Sequence, residues 1–355
     1  MDTSLESLLD LVRAAAAVRT PLRIRGGGTK DFYGNTPSGE ILDTRGLQGI
    51  VAYEPSELVV TANAGTSLQE LEAVLAAHGQ MLPFEPPHFG DSATVGGCVA
   101  AGLAGPRRAS FGATHGGVRD FVLGARLLDG RGQLLSFGGT VIKNVAGYDV
   151  ARVLAGSLGI LGVIVDVSLK VLPRPLAETT LRFELDEAAA LVRLNEWAGR
   201  PLPISASAWC SGELFLRLSG APAAVTAARD ILGGEELVGD GPWTEIREQQ
   251  HAFFSGDSPL WRISVPSTAD VVGFGNQQMI EWGGALRWLR SARPVAEIRA
   301  RAQTLGGYAT LFRGGDRSQG VFTPLSPAMK AIHDRLKAEF DPSGIFNPGR
   351  MYAEP

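Results

Sequence analysis

Residues 94–105, Thr-Val-Gly-Gly-Cys-Val-Ala-Ala-Gly-Leu-Ala-Gly, have the composition of an anion seat. The glycines leave successive backbone N–H groups uncovered, and the alanines with Val99 can start a tightly packed helix whose N-terminal end favours negative charge. In chain order that stretch is the second; the first is Arg25-Gly26-Gly27-Gly28-Thr29-Lys30, where N–H groups stand beside two cations. A third spans 156–164, Gly-Ser-Leu-Gly-Ile-Leu-Gly-Val-Ile. Each lies beside an apolar, strand-like run. Three turns of this kind suit one extended dinucleotide with its pyrophosphate on the glycine N–H groups.

The elements that must position these turns can be read from periodicity. Leu5, Leu8, Leu9, Val12 and Ala16 repeat at helical spacing, and Pro21 stops that helix before a strand at 22–25. Strands are predicted at 40–43, 50–54 and 58–62, then a helix over 68–78. Ser67 is its expected N-cap, Glu70 the matching capping-box acid and Gly79 its C′ residue. Pro83, Pro86 and Pro87 stiffen a connection into the second glycine stretch. A hairpin pairs 122–128 with 134–137 through Asp129-Gly130, and an alternating strand covers 163–172. Beyond Pro173 and Pro175 the pattern changes. Strands at 180–185, 204–209, 213–218, 260–265, 279–281, 285–289 and 308–312 mix with helices at 186–198, 223–232 and 295–305. They read as an antiparallel sheet with helices on one face. A helix at 328–340 and a turn carrying two prolines and two glycines close the chain.

Composition narrows the classes. A chain of 355 residues, 45% hydrophobic and 20% charged, is globular and long enough for two cores, and its net charge of −4 speaks against nucleic-acid binding. Two cysteines, Cys98 and Cys210, make no disulfide framework and point to a reducing compartment. Cys98 reads as a small packing residue. Residues 1–19 show no export signal, and no window of about 18 apolar residues predicts a membrane span. A cytoplasmic location is expected, with any membrane contact peripheral and through a partner. The five histidines, His78, His88, His115, His251 and His333, are scattered, so no metal site is expected. His88 and His251 read as packed or rim residues. Arg107 and Arg108 read as a solvated pair or partner contact, with anion steering as the alternative. Lys143, Asn144 and Tyr148 suit either ligand contacts or a structural network.

Taken in order, the segments 25–29, 93–108, 118–124, 143–152, 156–164, 170–175 and 341–351 resemble flavoproteins of the vanillyl-alcohol oxidase and para-cresol methylhydroxylase (PCMH) type. More narrowly, they resemble the small FAD-binding E subunits of bacterial glycolate oxidases. The specific strings are Gly-Leu-Ala-Gly-Pro-Arg-Arg at 102–108, Arg-Asp-Phe-Val-Leu-Gly at 119–124 and Lys-Asn-Val-Ala-Gly-Tyr-Asp at 143–149. The resemblance implies an α+β fold: a PCMH-type FAD domain of two α+β subdomains over 1–175, an antiparallel-sheet cap over 176–325, and a helix and tail over 326–355 that dock back on the FAD domain.

By the same resemblance Gly26, Gly27, Gly28 and Thr29 hold the pyrophosphate with Thr94, Gly96 and Gly97, flanked by Arg25 and Lys30. Asp91 and Ser92 lie along the flavin. Gly102, Gly162 and Ile164 approach the rest of the cofactor through backbone, and Pro87, Val95, Cys98 and Val163 complete the contact set. The FAD is noncovalent, since Thr29 and Lys30 stand where covalently flavinylated relatives carry a histidine. Relatives acting on 2-hydroxy acids read Gly-Ser-Glu-Gly where this chain has Leu158, and they carry a paired-histidine metal motif that is missing here. The implied activity is oxidation of glycolate, a small 2-hydroxy acid, to glyoxylate beside a larger FAD-binding D subunit. With only two cysteines here, an iron–sulfur cluster belongs to a partner, the F subunit. A free-standing dehydrogenase and a scaffold subunit stay open as alternatives.

Overall fold

Leu8, Val12 and Ala15 bury one stripe of a helix over Leu5–Val18, which hands the chain to the strand Leu22–Arg25. That strand pairs in parallel with Glu40–Asp43. The computed structural model describes residues 5–112, 115–139, 149–275 and 277–352, so Lys143, Asn144 and Tyr148 lie outside the described residues. A five-stranded antiparallel sheet follows, ordered Ile50–Glu54, Val59–Asn63, Val163–Lys170, Val122–Leu128, Leu134–Gly138. The helices Leu68–Ala77 and Val95–Ala101 supply Leu68, Leu71, Leu75, Val95, Cys98 and Val99 to its core.

Two local expectations change. Ser67 makes no side-chain cap; its carbonyl accepts from Leu71 N–H and its backbone bridges Thr94, so the helix start is tied into the sheet connection instead. The Val163–Lys170 strand does not alternate between core and solvent. It is central, and both of its faces are covered. Val163 and Val165 pack on the N-terminal helix cluster, Val167 and Leu169 on the other face, with a bulge opposite Arg126 and Leu127 at the change of side.

The second half builds one eight-stranded antiparallel sheet, ordered Glu235–Glu236, Ala177–Glu184, Glu213–Gly220, Ile204–Cys210, Gln278–Glu281, Leu286–Arg290, Leu260–Ser264, Tyr308–Arg313. Trp209, Ile280, Leu289, Trp261 and Leu311 point to the face covered by the helices Glu187–Ala198, Pro222–Leu232 and Val295–Thr304. Ala208, Met279, Leu286, Trp288 and Phe312 point the other way and share a cluster with Tyr33, Ala101, Leu103 and Leu158 of the first half. The opposite face of this sheet is therefore a lid on the glycine-rich region.

The expected helix near the C-terminus is Pro327–Phe340, and the chain then returns to the first strand. Phe346 bridges Leu22 in parallel, and Asn347 N–H donates to the Leu22 carbonyl at 2.8 Å.

Candidate cofactor cleft

The three glycine turns meet. A Cβ on Gly26 would lie 2.4 Å from Thr94 Oγ1, and one on Gly27 only 1.5 Å from the Ser92 carbonyl oxygen. Only glycine lets the first turn approach the second this closely. Gly28 has φ +76°, which an L side chain rarely adopts. Ser92 Oγ donates to the Gly27 carbonyl at 2.9 Å, and Thr94 Oγ1 accepts from Gly97 N–H at 3.2 Å, capping Val95–Ala101. The third turn joins through backbone: Gly156 N–H donates to Val99 O at 3.0 Å and Leu158 N–H to Ala100 O at 2.9 Å.

The turns enclose a cleft. Arg25, Gly26, Gly27, Gly28, Thr29, Lys30, Thr94 and Gly97 line one end, and Gly96, Gly162 and Ile164 line its continuation, with Ala100 and Leu158 on both. A cleft walled by the backbone of glycine turns and lined by Arg23, Arg25 and Arg350 fits a pyrophosphate-bearing cofactor.

The remaining candidates sit elsewhere. Asp91 is exposed and accepts from Gln69 at 3.3 Å, while Ser92 holds the rim. Val95, Cys98 and Val163 turn their side chains into the core, and Gly102 ends the helix in the left-handed region against Gly156. Burial pushes the Cys98 thiol up to about 12, which makes it a packing residue at neutral pH. Pro87 lines a separate cavity under the lid sheet.

Charge at the cleft is positive. Arg23 and Arg25 share one carboxylate, Asp31, with Arg25 Nε at 2.8 Å. Arg350, unforeseen as a cleft residue, donates to the Asp31 carbonyl at 3.0 Å; burial lowers its pKa to about 10, still cationic at neutral pH. Asn347, also unforeseen, clamps two turns: its Oδ1 accepts from Ile24 N–H at 2.8 Å and its Nδ2 donates to Leu158 O at 2.6 Å. A signal for both existed in the Pro- and Gly-rich tail. Lys30 Nζ donates to His88 O at 3.1 Å and to Thr29 Oγ1 at 3.4 Å and lies 5.6 Å from the Phe89 ring; burial lowers its pKa.

His88 is packed, with Nε2 3.1 Å from Glu72 Oε2. Arg107 is not a solvated cation: it is buried, pairs with Glu85 at 3.0 Å and with Glu178, and donates to Ser219 at 3.0 Å. Arg217 joins Glu85 at 2.9 Å. Burial would raise the Glu85 pKa, but Arg217 and Arg107 hold it below the usual range. This network ties the lid sheet to the residues beside the second glycine turn.

A second cavity lies where lid and glycine region meet. Pro87, Phe89, Leu103 and Gly105 form one wall; Arg262, Glu281, Trp288 and Phe312 form the other. Glu281 is buried and Trp288 Nε1–H donates to its Oε1 at 2.6 Å. Burial raises its pKa to about 7. Arg262 lies 5.2 Å from the Trp282 ring. Sequence reasoning passed over both. The alternation Trp261-Arg262-Ile263 on a strand was the signal that Arg262 faces a different environment from its neighbours.

Comparison with known proteins accords with this geometry. Residues 3–150 match the FAD binding domain family. The Escherichia coli (strain K12) glycolate oxidase subunit GlcE is 50% identical over 349 residues, covering 98% of this chain and 97% of that protein. The chain belongs to the GlcE family. The Bacillus subtilis (strain 168) glycolate oxidase subunit GlcD is 26% identical over 412 residues, 95% of this chain and 84% of that protein. A solved alkyldihydroxyacetonephosphate synthase superposes with a TM-score of 0.64 at 16% identity, covering 97% of this chain and 74% of that one, which shows a shared fold. The expected PCMH-type α+β fold and the FAD cofactor are thus borne out for this GlcE-family oxidoreductase. Among the described residues no helix is long and apolar enough to cross a membrane.

Proposed function

We propose that this GlcE-family chain is an FAD-binding subunit of a complex that oxidises glycolate to glyoxylate. The observation that carries the reading is the convergence of three glycine turns on one cationic cleft, in a chain 50% identical to a GlcE subunit over nearly its whole length. Gly26, Gly27, Gly28 and Thr29, with Thr94, Gly96 and Gly97, would hold the pyrophosphate, and Gly162 and Ile164 would contact the remainder through backbone. Arg23, Arg25 and Arg350 supply countercharge. Bound FAD supplies the chemistry of accepting a hydride from a CH–OH carbon. The chain's own residues bind and orient: the lid sheet excludes water from the cavity beside Phe89, and the Arg107 network holds the lid at its angle.

In this reading residues 1–175 form the FAD unit, 176–325 the cap, and 326–355 a tail that docks on the FAD unit through Phe346 and Asn347. The FAD is noncovalent; Thr29 and Lys30 follow the first turn, and His88 is engaged with Glu72. The partners are a larger GlcD-type FAD subunit and an iron–sulfur subunit, with membrane contact peripheral and through that complex. Relatives from two organisms, each named as a glycolate oxidase subunit, GlcE in one and GlcD in the other, support the assembly. The second reading is a free-standing FAD-dependent 2-hydroxy acid dehydrogenase.

The test is the absorption spectrum of the purified chain before and after acid precipitation, followed by anaerobic addition of glycolate. We expect flavin in the acid supernatant, without bleaching in the absence of the larger subunit. Bleaching by glycolate selects the free-standing enzyme. No flavin, even after FAD is added back, overturns the cofactor reading.

A further inference from the structure

The strap 85–89, Glu-Pro-Pro-His-Phe, leads through residues 90–93 into the second glycine turn and is bent at both ends. Glu85 has φ +41° and Phe89 φ +56°, a backbone region that L side chains rarely adopt, so neighbouring groups must hold them there. Those groups come from both halves of the molecule. From the lid, Glu248 follows the short helix Trp243–Arg247, and its carboxylate is largely buried. Its Oε2 accepts from Phe89 N–H at 2.8 Å and from His88 N–H at 3.1 Å, while Oε1 accepts from Arg247 Nε at 2.8 Å. From the first glycine turn, Lys30 Nζ donates to the His88 carbonyl at 3.1 Å. The His88–Phe89 peptide is thus gripped on its N–H by the lid and on its C=O by the first turn. The grip is rigid on the lid side. Trp243 and Ile246 are buried, and Trp243 Nε1–H donates to Thr180 Oγ1 at 2.8 Å. Both strap and helix end close on Gly105, where a Cβ would lie 2.2 Å from Glu85 O and 3.2 Å from Arg247 Cγ.

We propose that Glu248 is a positioning residue for the cofactor: by fixing the His88–Phe89 peptide it sets the contact of Ser92 with Gly27, and so ties FAD affinity to the seating of the lid. The proposal rests on the cofactor reading above and deepens it by naming a lid residue that shapes the cradle without lining it. Only three residues separate Phe89 from Ser92. Gly90, between them, already lies against the first turn, since a Cβ there would stand 3.4 Å from Thr29 Cγ2. Ser92 then presses its carbonyl on Gly27 and donates to the Gly27 carbonyl at 2.9 Å. So short and crowded a path has no slack. Without Glu248 the two strap N–H groups lose their acceptor, Phe89 is free to leave the left-handed region, and Ser92 moves with it. The coupling is reciprocal: what the seated lid contributes to FAD binding, bound FAD returns to the strap and the lid.

The test is an FAD titration of the full-length, flavin-stripped chain by quenching of flavin fluorescence, with hydrogen exchange of segment 85–92 read before and after FAD is added. In wild type, FAD should slow that exchange. Glu248→Met, which keeps the length but accepts no hydrogen bond, should lose about tenfold or more in FAD affinity and exchange faster at 85–92. Glu248→Asp, one carbon shorter, should draw back from the strap and show the same loss, and it decides the matter if Glu248→Met does not fold. Glu248→Gln, whose carbonyl oxygen can take both strap N–H groups, should stay within about threefold of wild type. Ile298→Ala opens a cavity on the far face of the lid, away from the strap, and should stay within about twofold. Wild-type affinity in the Met and Asp variants overturns the proposal, as does exchange at 85–92 that ignores FAD. Glu248→Gln falling as far as Glu248→Met assigns the effect to charge, and Ile298→Ala falling as far assigns it to general loosening; either removes the positioning role. A wild-type chain that takes up no FAD overturns the cofactor reading and this proposal with it, whereas wild type and variants that bind FAD equally well overturn this proposal alone.

Discussion

Gly27 carries the tightest contact in the cleft, since a Cβ there would overlap the Ser92 carbonyl oxygen at 1.5 Å. Backbone, unlike a flexible side chain, cannot step aside. Gly27→Ala should therefore push the first turn off the second and lower FAD affinity by more than about tenfold, the equivalent of ~1.4 kcal/mol. Flavin released per chain, compared at equal folded fraction, measures it. Glu281 acts on stability as well. Its ordinary value of 4.5 applies in the unfolded chain, and about 7 in the fold. The folded state thus holds the proton more tightly, so the contribution is fully present below 4.5 and is lost as pH rises through 7. The shift corresponds to roughly 3 kcal/mol at most. Glu281→Gln should match wild type in urea at pH 4.5 and be more stable at pH 8; equal stability at both would contradict a raised pKa.

At the scale of elements, the Arg107–Glu85–Glu178–Arg217 network joins the residues after the second glycine turn to two strands of the lid. Removing one partner leaves buried charge uncompensated. Arg107→Met should cost about 3–5 kcal/mol in urea unfolding, and pairing it with Glu85→Gln should recover part of that. The sequence hid this arrangement for a physical reason. Glu178 and Ser219 lie 71 and 112 residues from Arg107, so nothing local separates a buried arginine from a solvated one. Local chemistry was legible where it was self-contained. Leu22–Arg25, Glu40–Asp43 and Ile50–Glu54 follow their predicted bounds because hydrophobic pattern and flanking turns fix them. The alternation expected of Val163–Lys170 failed, because only the order of strands makes it central and covers both of its faces. The glycine turns were readable as anion seats, whereas Arg262 and Glu281 acquire meaning only when two strands of one sheet face the same cavity.

At the scale of the molecule, the lid sheet and the glycine region share one apolar cluster, and the chain's last turn closes on its first strand. Asn347 does this with a backbone φ of +41° and two hydrogen bonds to Ile24 and Leu158. Asn347→Ala should leave the helix content unchanged and weaken FAD binding by about tenfold, because each lost bond to a buried backbone group costs about 1 kcal/mol or more. Circular dichroism with flavin fluorescence during FAD titration separates the two effects. The prolines and glycines of the tail announced a docked turn and the family resemblance its domain, while the strand Leu22–Arg25 as its seat is seen only in the closed fold.

That closure has a temporal consequence. Residues 22–30 leave the ribosome more than 300 positions before Asn347 and Arg350, which stand on the same cleft. The glycine loops can fold early, but the cradle has no floor until the final turn emerges. Flavin occupancy therefore reports translation carried through to the tail, and a nascent or clipped chain lacking it would stand colourless beside its finished copies.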